Sequence, residues 1–195
     1  MKHLIPSIAL AFGILAGASA QVTPNGAHSD VINMKIHEVD MLLQIMPLLL
    51  TKDQINHKIV PAIEKARDQF KKELAFEDDE LAKIEPLADE AIKNAYEKGA
   101  YPPRTITGEI AGKESKLEIQ RKVFMGVLIQ NMQEVLDATL DSGQKKVILG
   151  SFDTGFIDPT AKPGSVTDDK KMRFFIQRIF LDPTSYEILK KLGNK

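Results

Sequence analysis

Apolar residues recur at steps of three and four along most of the chain, the spacing of one face of an α-helix. Ile55, Ile59, Ile63, Ala66, Phe70 and Leu74 form one such row, and Leu81, Ile84, Ala88, Ala91 and Ala95 resume it. This predicts one very long helix, or two nearly collinear ones, over residues 52–98. Pro61 and Pro86 interrupt the row, because a proline lacks the backbone donor and clashes with the carbonyl four residues back. Kinks are expected there, or a break near Glu77 to Glu80. Lys98 and Gly99, followed by Pro102 and Pro103, form a stop signal.

A loop from Gly99 to about Lys113 then leads to a second long helix over 114–138. Leu117, Val123, Phe124, Leu128, Met132, Val135 and Leu136 are its candidates for burial. Two long helices around a loop predict an antiparallel hairpin. A first helix over 30–45, capped by Ser29, carries Val31, Met34, Val39, Leu42 and Ile45. A short helix begins near Ser142, a Gly/Pro-rich loop covers 153–166, and a helical tail breaks at Asp182 and Pro183. No alternating pattern of a sheet is present, and "RTITGEI" at 104–110 forms a local strand at most. The fold class that follows is all-α, a long kinked hairpin with additional N- and C-terminal helices. In domain terms, 21–195 reads as a single helical domain, with a hairpin core region over 30–146 and a loop and tail over 147–195.

The stretch Leu50-Thr51-Lys52-Asp53-Gln54 starts the long helix by a recognisable chemistry. A Thr51 hydroxyl can accept the N–H of Gln54 while the Gln54 amide reaches back to the N–H of Thr51, a capping box that satisfies donors a helix start leaves orphaned. Leu50 and Ile55 occupy the flanking hydrophobic-staple positions. Leu140-Asp141-Ser142-Gly143-Gln144 repeats leucine, cap and glutamine at the same spacing, with Gly143 awkwardly placed in the first turn. Leu181-Asp182-Pro183-Thr184-Ser185 echoes the leucine and the cap, with proline at the first helical position. On this reading Thr51 should be worth roughly 0.5–2 kcal/mol as a cap, and Gln54 less.

The first twenty residues have the form of an export signal. Lys2 and His3 precede an apolar run from Leu4 to Leu15, and Ala18-Ser19-Ala20 supplies the small residues a signal peptidase requires, with cleavage before Gln21. The expected location is periplasmic or secreted. The roughly 175 residues that remain fit one ordinary domain. They hold no cysteine, so packing rather than disulfides must stabilise them. The formal net charge is −1, and removal of the leader takes away only Lys2. Such a balance gives no general attraction to nucleic acid, and no stable membrane insertion is expected after cleavage.

Together, the signal, the helical pattern, the Leu50/Thr51/Gln54 motif and its degenerate copy Leu140/Asp141/Gln144 resemble the LTxxQ group of bacterial envelope proteins, the Spy/CpxP-like family. The resemblance covers roughly residues 44–146. It implies two motifs flanking a helical hairpin, and an ATP-independent chaperone or envelope-stress role. The partners it implies are unfolded or partly folded proteins held on the hairpin's amphipathic surface, and a homodimer would pool that surface. No cofactor is implied.

Other constellations offer rival functions. Met34, His37 and Met41 recur on one stripe of the first helix, a donor set suited to a soft ion such as Cu(I), with His28 or His57 as distant additions. The plainer reading is that the methionines pack and His37 lies at the margin. The acidic run from Glu73 to Glu90 reads as a solvated helix face, with Arg121 and Lys122 near Glu85 to Glu90 across the hairpin. The basic amphipathic tail, with Met172, Phe175, Ile176, Ile179 and Phe180, is expected to dock on its own domain. A scaffold with one specific partner remains a third function. Catalytic signatures are missing: no phosphate-binding loop, no HExxH and no cysteine nucleophile occur, so no enzyme is expected.

Overall fold

A computed structural model describes residues 27–160, 162 and 164–195; the expected leader and its cleavage point lie outside them. The described residues are all-α, without a strand. α1 spans Ala27–Ile45 and passes through a short 3-10 turn, Met46–Leu48, into α2, Lys52–Gln54. A π-helical turn, Ile55–Ile59, leads to α3, Val60–Ala82. α4 is Glu85–Lys98, α5 is Arg104–Thr139 and α6 is Ser142–Gly150. A short α7, Thr154–Ile157, precedes α8, Asp168–Phe175, which runs through a second π turn, Ile176–Phe180, to α9, Pro183–Gly193.

Local chemistry explains several boundaries. Pro61 offers no N–H to the carbonyl of His57, and the turn before it widens so that Val60 N–H bonds the carbonyl of Ile55. The long-helix pattern over 52–98 breaks at Lys83 and Ile84, not at Glu77 to Glu80, with Pro86 in the first turn of α4. Gly99, at φ 60°, ends α4 as the glycine stop predicts. Beyond it the expectation fails, because α5 begins at Arg104 and absorbs both the loop to Lys113 and the candidate strand at 104–110. Pro103 stands just before the start, and the Thr107 hydroxyl donates back to the carbonyls of Pro103 and Arg104 within the first turn. Ser29 lies inside α1 rather than capping it.

The chain divides into two compact units. One comprises the described residues up to Lys65 together with those of Ile129–Lys195, and the other is Ala66–Leu128. In the first, Phe175, Phe180, Ile176 and Leu189 are fully buried with Ile45, Ile59, Met132 and Leu136. Phe175 meets Phe180 edge-on at 5.4 Å between ring centres. The tail therefore docks on its own unit, as expected. Gly193 is required by proximity: a Cβ there would lie 2.0 Å from Asn56 Oδ1, and the Asn56 amide donates to the Gly193 carbonyl at 3.1 Å.

In the second unit α3 and α5 run antiparallel. Phe70 meets Phe124 at 6.4 Å, and the Gln120 amide donates to Glu73 at 2.8 Å. Arg121 grips Glu77 through two bonds of 2.9 and 2.6 Å, and Lys113 pairs with Glu80. The register thus differs from the expected one: Arg121 reaches Glu77, not Glu85 to Glu90, and Lys122 pairs with Glu118 on its own helix. The early start of α5 supplies the length that shifts the pairing.

Candidate functional site

The two leucine-cap-glutamine motifs form their capping boxes and then join each other. Gln54 N–H donates to the Thr51 hydroxyl at 3.2 Å, and the Thr51 N–H donates to Gln54 Oε1 at 2.9 Å. At the second copy Gln144 N–H donates to Asp141 at 2.8 Å, and the Asp141 N–H to Gln144 Oε1 at 3.0 Å. Across the gap the Gln54 amide donates to Gln144 Oε1 at 3.0 Å, and the Gln144 amide donates to Gln54 Oε1 at 3.1 Å. Each amide spends its other hydrogen on a carbonyl that ends the element before the opposite motif. Gln54 takes Thr139 at 2.9 Å, and Gln144 takes Leu48 at 3.0 Å. Both side chains therefore use their amide hydrogens fully in a partly buried setting, where an unmade bond is costly. Gly143 is not awkward here: a Cβ would press within 3.1 Å of the capping Asp141 carboxylate.

Leu140 and Ile55 are buried, while Leu50 is half-buried. The third copy caps α9, Asp182 Oδ1 accepting from Thr184 N–H at 2.7 Å. Its other oxygen, Oδ2, accepts from His37 Nε2 at 3.0 Å. Since the carboxylate can only accept, Nε2 carries the ring proton when the imidazole is neutral.

That pair borders an open cavity of about 550 Å³. Its wall is apolar and aromatic: Met41 from α1, Phe152 and Phe156 from the α6 to α7 region, Phe174 and Ile179 from the tail. Phe152 and Phe174 meet edge-to-face at 5.1 Å, and the Arg178 guanidinium lies 5.6 Å from the centre of the Phe174 ring. Asp153, Arg178 and the His37–Asp182 pair supply the polar rim. The size suits a buried side chain or a small ligand, for which pockets of about 300–1,000 Å³ are usual.

Of the stripe Met34, His37 and Met41, the cavity wall brings together His37 and Met41. Met41 is buried and His37 is held by Asp182, while Met34 is 64% exposed and is not part of the cavity wall. Met34 therefore does not pack on the core either. His57 bonds Asp53 on its own helical turn. Among the described residues no three His, Asp or Glu side chains converge as a metal site, and no helix is long and apolar enough to cross a membrane. Sequence reasoning missed the cavity, because its aromatic wall joins residues far apart in the chain. It also placed Val123 among the buried candidates, whereas Ile119, Val123 and Val127 form an exposed row along α5.

No family model, curated protein or solved structure matches the chain.

Proposed function

We propose that this chain is an exported, non-enzymatic binding protein of the bacterial envelope that holds partly unfolded polypeptides without ATP. The observation that carries the reading is the open aromatic cavity, walled by Phe152, Phe156, Phe174 and Ile179, with Arg178 at its edge. An apolar wall with few polar groups accepts many aliphatic or aromatic side chains and selects weakly among them, which is what a holding protein needs. The exposed row Ile119, Val123 and Val127 on α5 adds a second apolar contact. The resemblance to the Spy/CpxP-like family supports the same role.

Light scattering of an aggregating test protein, mixed about one to one with this protein in the absence of ATP, tests the proposal. Aggregation should be suppressed, and Phe156→Ser should weaken the protection while circular dichroism stays unchanged, since Phe156 is 76% exposed. Absence of suppression, or protection indifferent to Phe156→Ser, would contradict it.

A further inference from the structure

α1 carries two apolar faces, and its own unit covers one of them. Met41, Ile45 and Leu48 turn inward and are buried, while the His37–Asp182 and Glu38–Lys191 bonds fasten the same side to α9 and its cap. The other face bears Ile32, Ile36, Val39, Leu43 and Met46, each between 43% and 65% exposed. These positions advance by four, three, four and three residues, the heptad spacing of a coiled-coil seam. Ile36 and Leu43 take the a positions, and Ile32, Val39 and Met46 the d positions. Lys35 then falls at g and Asp40 at e, and these two flank the shallow groove formed by Ile32, Ile36 and Val39. Both are exposed, and neither has an ion-pair partner among the described residues.

We propose that α1 pairs in parallel with α1 of a second copy of this chain through this seam. Charge selects both the partner and the direction. In a parallel pair a g residue meets the e residue of the following heptad on the other helix, so Lys35 meets Asp40 of the second copy, and symmetry makes the bridge twice. In an antiparallel pair g faces g and e faces e, so Lys35 and Asp40 lie on opposite sides of the seam and neither bridge is made. The end of the seam bears a second mark of a covered surface. Leu49, at φ 47°, occupies the left-handed region that disfavours a branched side chain, and yet it is 82% exposed beside Met46. Neither packing within the copy nor backbone preference accounts for a leucine there, whereas burial against a second copy does.

Sedimentation equilibrium of the full chain, with circular dichroism as the check on folding, reads the association directly and independently of any client. The expected mass is two chains at micromolar concentration. Val39→Glu, an exposed position within one copy, should weaken pairing by more than about a hundredfold because it places two charges in the seam. Lys35→Glu and Asp40→Lys should each weaken it roughly fivefold, and an equimolar mixture of the two variants should pair again. Since the chain has no native cysteine, Ile32→Cys gives the direction: a parallel pair cross-links Ile32→Cys to itself under oxidation. An antiparallel pair instead cross-links Ile32→Cys to Met46→Cys. A monomer, an assembly indifferent to Val39→Glu, or cross-linking only between Ile32→Cys and Met46→Cys would overturn the proposal.

Discussion

The two compact units are built by different means. The first buries large side chains: Phe175, Phe180, Ile59, Leu136 and Leu189 have almost no exposed surface. In the second, the buried apolar residues among those described are Ala66, Phe70, Ala91, Leu117 and Leu128, and Glu77 is buried with them. Its long helices are tied instead by the Glu73–Gln120, Glu77–Arg121 and Glu80–Lys113 contacts. Apolar burial of this kind is worth roughly 1.5–3 kcal/mol per large side chain. Ion pairs at a surface contribute at most about 1 kcal/mol each, and a buried one such as Glu77–Arg121 sets its attraction against the cost of desolvating both charges. The difference teaches that length and helical propensity do not make a core: the longest helix of the protein belongs largely to the more thinly packed unit.

Equal truncations in the two units should separate them most sharply. Phe180→Ala should cost about 3–5 kcal/mol and lower the main unfolding transition, as deletion of a fully buried ring does. Phe70→Ala, whose ring has fewer buried apolar neighbours in its own unit, should cost less, and chemical denaturation of both variants measures the gap. The next effect belongs to the motifs. Gln54→Ala and Gln144→Ala should each cost roughly 1–3 kcal/mol, because each leaves a carbonyl and the opposite amide unsatisfied, with Gln144→Ala the costlier since the Leu48 carbonyl is the more buried. Both should exceed Thr51→Ala, which removes one cap bond worth about 1 kcal/mol. That order reverses the expectation from the capping box alone.

Acid should weaken the second unit through a defined carboxylate. The ammonium groups of Lys113 and Lys83 hold the Glu80 carboxylate down at about 2, well below its usual 4.5. A carboxylate whose folded value is depressed contributes stability that is fully present above its unfolded value. The contribution is lost as pH falls through the folded one. Between about pH 4.5 and 2 the amides of 66–128 should therefore lose hydrogen-exchange protection, and Glu80→Gln should reduce that dependence. The smallest effect concerns Leu49: Leu49→Gly relieves left-handed strain at the cost of chain entropy, so within one copy it should be neutral or stabilising by up to about 1 kcal/mol. Thermal unfolding measures it.

Much of the helical frame was legible because its signals are local. The caps at Thr51, Asp141 and Asp182, the glycine stop at Gly99 and the amphipathic tail each depend on residues within a turn or two. What escaped depends on partners distant in sequence or on competition between local preferences. Thr105, Ile106 and Thr107 favour extended backbone, yet α5 includes them, and the resulting length moved the Arg121 pairing to Glu77. A row of apolar residues also does not reveal which of two faces is covered, so Val31, Met34 and Val39 read as core but face solvent. The glutamine clasp was illegible for the first reason: each capping box accounts locally for its own glutamine, and only the fold sets Gln54 beside Gln144.

That clasp is the central feature of the account, and a double-mutant cycle on Gln54→Ala and Gln144→Ala measures it most directly. Chemical denaturation of the wild type, the two single variants and the double variant gives the coupling between the side chains. If each amide completes the other, the double variant should lose less stability than the sum of the singles, by at least about 1 kcal/mol. Losses that add to within about 0.3 kcal/mol would mean that the two motifs act only as separate helix caps, and would contradict the account.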